Sequence, residues 1–391
     1  MSEMTQFTIA IAARNAAVTI ERAVASACRE ASCPLVLVDD HCSDDTVARA
    51  RAVAGGRLRV VKAPEPGGVP VARQAGLESV ETEFAAWLDA DDEWIPGRAE
   101  RLTAALRAGA DVATEAIDLY DGESGAFLRR LEVPAFIRSE ATPARLFERN
   151  HLPGDTQVAF RTEVFRAAGG YDAAVYGVES FDLLLRAVAI GARFHCGNEA
   201  GYRMYAYPQS VSRNLVRQRA ALAMALRKHD YERVRGLCRA AGEPERVAAW
   251  VLVSMAVFRD EPAAALRFLD EASPAAADPT EILEGDGPWP FREGWRRVFQ
   301  RGTCLLLVGG RDPEAAEELQ RAEALEPTPE GANNLGVAWA RLGRAAEARD
   351  RFAQAETRFP GYLDARLNRE AALPARITTH LLRRQASRSE Y

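Results

Sequence analysis

The stretch FAAWLDADDEWIPGR, Phe84 to Arg98, ends an apolar run with Asp89, Asp91 and Asp92. Clustered carboxylates at a strand end are costly unless a cation neutralises them or they point into water. Strand alternation predicts that Asp89 and Asp91 fall on one side, able to converge on a single ligand. Asp39 and Asp40 end a second apolar run, PLVLVDD, and GVESFDLLLRA places Glu179 and Asp182 on neighbouring turns of a helix-patterned segment. Other chemistries find little support. The five histidines, His41, His151, His195, His229 and His380, form no ligand spacing, and the six cysteines include no C-x-x-C pair and read as reduced thiols. No G-x-S-x-G, P-loop or G-x-G-x-x-G occurs.

Alternating strand and helix patterns position these acids. FTIAIAA reads as a strand and VTIERAVASACRE as a helix; PLVLVDD follows as a strand, with Ser43 as a candidate N-cap, and DDTVARARAVAG as a helix closed by Gly55 and Gly56. RLRVVKA, VPVARQAGLESV, FAAWLD and PGRAERLTAALRAGA continue the series, the last with Pro96 near its first turn. Strand–helix units in series predict a parallel, doubly wound α/β sheet, which binds ligands beyond the carboxyl ends of its strands. Both acidic clusters sit at such ends.

Beyond Asn214 the strand signals fade and the chain reads as helical. In PEGANNLGVAWARLGRAAEARDRFAQAETRFP, Leu335, Gly336, Trp339, Ala348, Phe352, Ala355 and Pro360 fit the tetratricopeptide pattern. Gly302, Ala315, Leu319, Ala322 and Pro327 echo them about one repeat earlier, and fainter echoes occur at Ala265, Leu269 and Ala272 and at Val234, Cys238 and Ala241. The expectation is a first domain over 1–214, helical hairpins over 215–370 broken by the loop SPAAADPTEILEGDGPWP, and a helix or tail over 371–391. Stacked hairpins present a concave face to partners and could support a homodimer. A net charge of −6 argues against a nucleic-acid surface. The longest apolar runs fall short of the ~20 residues of a membrane span. MSEMTQFTIAIAARN lacks the marks of a secretory signal, which makes the cytoplasm the expected location.

FTIAIAARN, LVLVDDHCSDDT, PGGVPVARQAGL, FAAWLDADDEWIPGR, GGYDAAVYGVESFDLLLRA and YPQSVSRN resemble, in order, the landmarks of the family 2 glycosyltransferases of GT-A fold. The resemblance covers residues 6 to 214 and implies a UDP-sugar donor. By the same resemblance, the backbone from Ala12 to Asn15 lines the base, with Arg14 adding a stacking or phosphate contact. Asp40 accepts from the base, Arg73 reaches the nucleotide, Asp89 lies near the ribose, and Asp91 holds Mg²⁺ or Mn²⁺. A cation there can bridge the phosphates of a nucleotide diphosphate. Asp39 is read as structural and Asp92 as a helix cap, while Gln74 replaces the usual asparagine. His151 and Asp155 in NHLPGD fall in a loop that resembles the acceptor region.

Two departures stand out. The usual Glu-Asp pair appears as Glu179-Ser180, and a serine cannot hold a proton taken from a nucleophile near neutral pH. Glu179 and Asp182 become the candidate bases, with helix capping as the alternative for Glu179. Tyr207 stands where a histidine often helps to bind metal or diphosphate. The sequence is therefore read as a metal-dependent, inverting transferase acting on a peptide or protein, by analogy with two-domain enzymes that glycosylate ribosomal peptides in bacteriocin pathways. The rivals are a non-catalytic nucleotide-sugar-binding scaffold and a transferase for cell-envelope polysaccharide or lipid-linked sugar.

Overall fold

The computed structural model describes residues 6–30, 33–137, 141–207, 215–272, 293–372 and 374–379. The expected loop over SPAAADPTEILEGDGPWP, the motif beyond Tyr207, His380 and most of the tail lie outside these residues. The chain divides into two compact units, Met1–Ala241 and Gly242–Tyr391.

The first unit begins with β1 (Phe7–Ala13), α1 (Ile20–Cys28), β2 (Leu35–Asp39), α2 (Thr46–Ala54), β3 (Leu58–Lys62), α3 (Val69–Ser79) and β4 (Phe84–Trp87). It continues with β5 (Glu93–Trp94), α4 (Arg98–Arg107), β6 (Val112–Asp121), β7 (Phe127–Leu131), β8 (Ala159–Arg161), α5 (Thr162–Ala167), α6 (Glu179–Ala189) and β9 (Phe194–Ala206). Helices α7 (Leu215–Arg227) and α8 (Tyr231–Ala240) complete it. The sequence reading assigned α7 and α8 to the helical region, but α7 packs on α6 and α8 packs on α6 within this unit.

The sheet order is β3-β2-β1-β4-β8-β6-β9-β5, with β7 on β6. β3, β2, β1 and β4 are parallel, and β8 joins β4 antiparallel. The parallel strands read as unbroken apolar runs because both faces of such a sheet are covered. Phe7, Ile9, Ile11, Leu35, Leu37 and Phe84 are buried against α1 and α4 residues such as Val24 and Leu106. Because β1, β2 and β4 run the same way, the segments after Ala13, Asp39 and Trp87 all emerge at one edge.

The second unit contains α9 (Glu245–Phe258), α10 (Pro262–Ala272), α11 (Glu293–Val308), α12 (Asp312–Leu325), α13 (Pro329–Arg341), α14 (Ala345–Arg358) and α15 (Leu363–Glu370). Successive helices pack as hairpins, α9 with α10, α11 with α12 and α13 with α14. The paired glycines explain the close approach. A Cβ on Gly302 would lie 2.6 Å from Leu319 Cγ, and one on Gly336 would lie 2.5 Å from Phe352 Cε1. Phe352 is fully buried, so its ring has nowhere to go.

Gly336→Ala should therefore destabilise the helical unit by a net of up to ~2 kcal/mol, because overpacking at ~1–3 kcal/mol is offset by a helix-propensity gain of only ~1. Gly236→Ala, in α8, is the control: its Cβ would meet nothing within 4 Å, and the same substitution should stabilise. Thermal unfolding of the two variants tests the contrast, and equal shifts would refute the contact as the cause.

Candidate active site

At the edge beyond β1 and β2, Asn15 adopts a left-handed conformation, φ 51°, and its Oδ1 accepts from the Ser43 N–H at 2.8 Å. Ala12 lies in β1 opposite Val38, and Asp39 accepts from the Cys42 N–H at 2.8 Å, a structural role as expected from sequence. Asp44, not Ser43, takes the first N–H of α2, at Thr46, 3.0 Å away. Asp40 is buried and accepts from the Gly68 N–H through both oxygens, at 2.9 and 3.1 Å. A Cβ on Gly67, at φ 78°, would come within 2.5 Å of Asp40 Oδ1, so this turn needs glycine. The Arg14 guanidinium, largely exposed, stands 3.8 Å from Asp40.

The acids after β4 are placed by a turn rather than by strand alternation. β4 stops at Trp87, the Leu88 N–H still donates to the Ala10 carbonyl, and the Asp92 N–H folds back to the Asp89 carbonyl at 3.2 Å. Asp92 does not cap α4, which begins after Gly97. It is buried and accepts from the Tyr205 N–H at 2.8 Å. Burial, then the charges of Asp89 and Asp91, push its pKa well up.

Arg73 is the hub. It is buried, and its Nη1 donates to Glu179 at 2.7 Å and to Ser180 Oγ at 2.9 Å, while Nη2 donates to Asp89 at 3.2 Å. Burial opposes its charge, but Asp89 and Glu179 outweigh burial and raise its pKa. Arg73 is thus committed to protein carboxylates rather than reaching outward, as the sequence reading had it. Glu179 also accepts from the Gly177 N–H at 2.7 Å. Asp182 is not available as a base: it is fully buried, paired with Arg186 and Lys228 at 2.7 Å each. Gln74 is structural, accepting from the Tyr171 N–H at 2.8 Å.

The segment 154–157 forms a wall that sequence reasoning left largely unassigned. Gln157 Nε2 donates to Asp89 at 2.6 Å, and Thr156 Oγ1 lies 3.2 Å from Ser180 Oγ. Asp155 sits among Arg73, Glu179 and Asp89; burial, then Glu179, push its pKa up to about 6 against the pull of Arg73. Asp91 is similar. Burial and the Asp89 charge raise it to about 6, and Arg22 donates to its carbonyl, not its carboxylate. Tyr207 stands 3.5 Å from the same Arg22. His151 lies 3.6 Å from Glu148, and burial lowers its pKa to about 4, leaving a neutral ring. The only sequence signal for the wall was the PGD turn; its partners are too distant in the chain to read.

Among the described residues, no three Asp, Glu, His or Cys side chains are grouped to hold a metal by themselves. Asp91, whose carboxylate takes no hydrogen bond from another described residue and has Asp89 beside it, nonetheless fits a divalent cation of the kind that draws its other ligands from phosphates and water. No helix of the described residues is long and apolar enough to cross a membrane.

Residues 8–169 match the family described as Glycosyl transferase family 2. Two curated proteins of Rhizobium meliloti (strain 1021) are similar. Succinoglycan biosynthesis protein ExoO is 32% identical over 222 residues, covering 53% of this chain and 63% of that protein. Succinoglycan biosynthesis protein ExoU is 31% identical over 223 residues, covering 53% and 64%. The chain thus spans less than two thirds of the length of these relatives. Among solved structures, S. aureus TarS 1-349 in complex with UDP-GlcNAc matches with a TM-score of 0.50 at 13% identity, covering 92% of this chain and 93% of that one. The first unit has the GT-A-like α/β fold, and an all-helical region follows it.

Proposed function

We propose that this chain, built on a family 2 glycosyltransferase domain at residues 8–169, transfers a sugar from a UDP-sugar to an acceptor hydroxyl with inversion. One observation carries the reading. At the sheet edge, Asp40, Asp89, Asp92 and Glu179 are held by hydrogen bonds from neighbouring residues, whereas the carboxylates of Asp91 and Asp155 meet only their own backbone N–H and take no hydrogen bond from another described residue. Two free acids answer the two charge problems of the reaction, a leaving diphosphate and an acceptor proton.

Ala12, Arg14, Asn15 and Asp40 surround the base in this reading, and Asp89, aimed by Arg73 and Gln157, meets the ribose. Asp91 would hold Mg²⁺ or Mn²⁺, whose charge would offset that of the departing UDP. The acceptor oxygen bonds to the anomeric carbon as the bond to the diphosphate oxygen breaks, its electrons leaving with UDP. The acceptor proton passes to Asp155. Glu179, paired with Arg73, is a positioning residue rather than the base.

The names of the two relatives support a saccharide hydroxyl as acceptor, as in polysaccharide assembly. A second reading, a peptide or protein side chain, is favoured by the helical unit, where asparagines grip an extended main chain. UDP release from several UDP-sugars with Mn²⁺, with oligosaccharide and with peptide acceptors, separates the two. Calorimetry with UDP and Mn²⁺ should show Asp91→Ala binding at least ~10-fold more weakly, about 1.4 kcal/mol. Unaltered affinity in that variant would sink the metal assignment. UDP release that no acceptor accelerates and that Asp91→Ala leaves unchanged would instead favour a binding scaffold.

A further inference from the structure

Residues 374–379, which follow α15, lie without helical structure against the helical unit and are held there mainly through their main chain. Asn368 pairs with the peptide group of Arg376: its Oδ1 accepts from the Arg376 N–H at 2.9 Å, and its Nδ2 donates to the Arg376 carbonyl at 2.8 Å. Asn334 does the same at Thr378, accepting from the N–H at 2.8 Å and donating to the carbonyl at 2.8 Å. Asn333 adds a donor to the Arg376 carbonyl at 2.9 Å. The gripped residues are two apart, the period of an extended strand, which turns alternate residues to the same side. The three asparagines are almost completely buried.

The grips repeat with the helices. Asn334 and Asn368 are 34 residues apart, and 34 residues before Asn334 stands Gln300 on α11. Gln300 is one turn from Thr303 on the same helix face, and Thr303 Oγ1 accepts from Asn334 at 3.0 Å. Gln300 is itself buried, and its Oε1 has no hydrogen-bond partner among the described residues. A buried amide oxygen left without a donor is costly, and an N–H of an extended chain is the group that the neighbouring amides already accept. Side-chain recognition falls on two neighbouring residues. Thr378 Oγ1 donates to Asp364 at 2.9 Å, accepts from Asn333 at 3.2 Å and meets Tyr362, and Ile377 packs against the hydrophobic core of the helical unit, whereas the Arg376 side chain is mostly exposed.

We propose that the face formed by α11, α13 and α15 is a binding site for an extended peptide, read through its main chain by Gln300, Asn334 and Asn368. Residues 374–379 of the chain itself occupy part of it in this structure. The site accepts many sequences, with a preference for an apolar residue at the position of Ile377 and for Thr or Ser at that of Thr378, and an incoming peptide displaces the chain's own segment. This goes beyond the transfer reaction and holds whether or not that reaction is confirmed.

The probe is a fluorescein-labelled peptide of residues 374–379, PARITT. Thr378→Pro removes both the N–H given to Asn334 and the hydroxyl, so this variant of the full chain should release its own segment and bind the probe. The unaltered chain should bind it at least ~10-fold more weakly, because a tethered competitor acts at roughly millimolar effective concentration. N-methylation of the probe's second-last residue, or Asn334→Ala in the release variant, should cost at least ~10-fold through the lost main-chain bonds, while exchanging the probe's Arg for Ala should change little. A helical Thr378→Pro chain that ignores the probe, or binding indifferent to N-methylation, would overturn the proposal. Should that variant not fold, hydrogen exchange of the unaltered chain decides. The amides of Arg376 and Thr378 should exchange at least ~10-fold faster than the slowest amides of α13; exchange at the α13 rate would make the segment a fixed part of the fold and end the idea.

Discussion

Asp155→Asn is expected to lower acceptor-dependent UDP release by about 10²-fold or more, the scale of losing a general base, while UDP affinity stays within a few-fold. The amide is nearly isosteric, so Arg73, Glu179 and Asp89 keep their mutual contacts, and only the capacity to take a proton goes. The unaltered chain should show a rate that climbs as pH rises through about 6, where Asp155 ionises, and then levels off. In Asp155→Asn that rise should flatten. Glu179→Gln, which keeps an acceptor for Arg73, should cost less than ~10-fold. A larger loss from Glu179→Gln than from Asp155→Asn would return the base to Glu179. Steady-state UDP release over a pH series, for both variants, makes the comparison.

Arg73→Met carries the largest expected effect on stability, a loss of about 3–5 kcal/mol in the first unit, because it strands Asp89 and Glu179 without their shared cation. For a unit of this size the melting temperature should fall on the order of 10 °C. Thermal unfolding of Arg73→Met against the unaltered chain at pH 7 measures the deficit. A deficit below ~1 kcal/mol at pH 7 would mean that Arg73 does not organise the acids.

Much of the scaffold was legible before any coordinates. FTIAIAA and PLVLVDD announce strands because a parallel sheet is covered on both faces and leaves unbroken apolar runs, and β1 occupies the residues read as FTIAIAA. Gly55 closes α2 as expected, at φ 58°, since few other residues adopt that conformation cheaply. Gly302 and Gly336 marked helix pairs in close contact, a requirement local enough to leave a spacing in the chain. The gathering of Asp40, Asp89 and Asp91 at one edge followed from strand direction alone.

Which acids are free and which are bound could not be read that way. A carboxylate looks the same in sequence whether or not it has a partner, and the partners here lie far off: Arg73 is 106 residues from Glu179, and Gln157 is 68 from Asp89. Asp182, one helical turn beyond Glu179, looked equally suited to be the base until Arg186 and Lys228 closed around it. Gln300, Asn334 and Asn368 were likewise in plain view at a regular spacing. Amides on a helix carry no message until another chain segment lies across them, and long-range packing alone brings residues 374–379 onto those of α13 and α15.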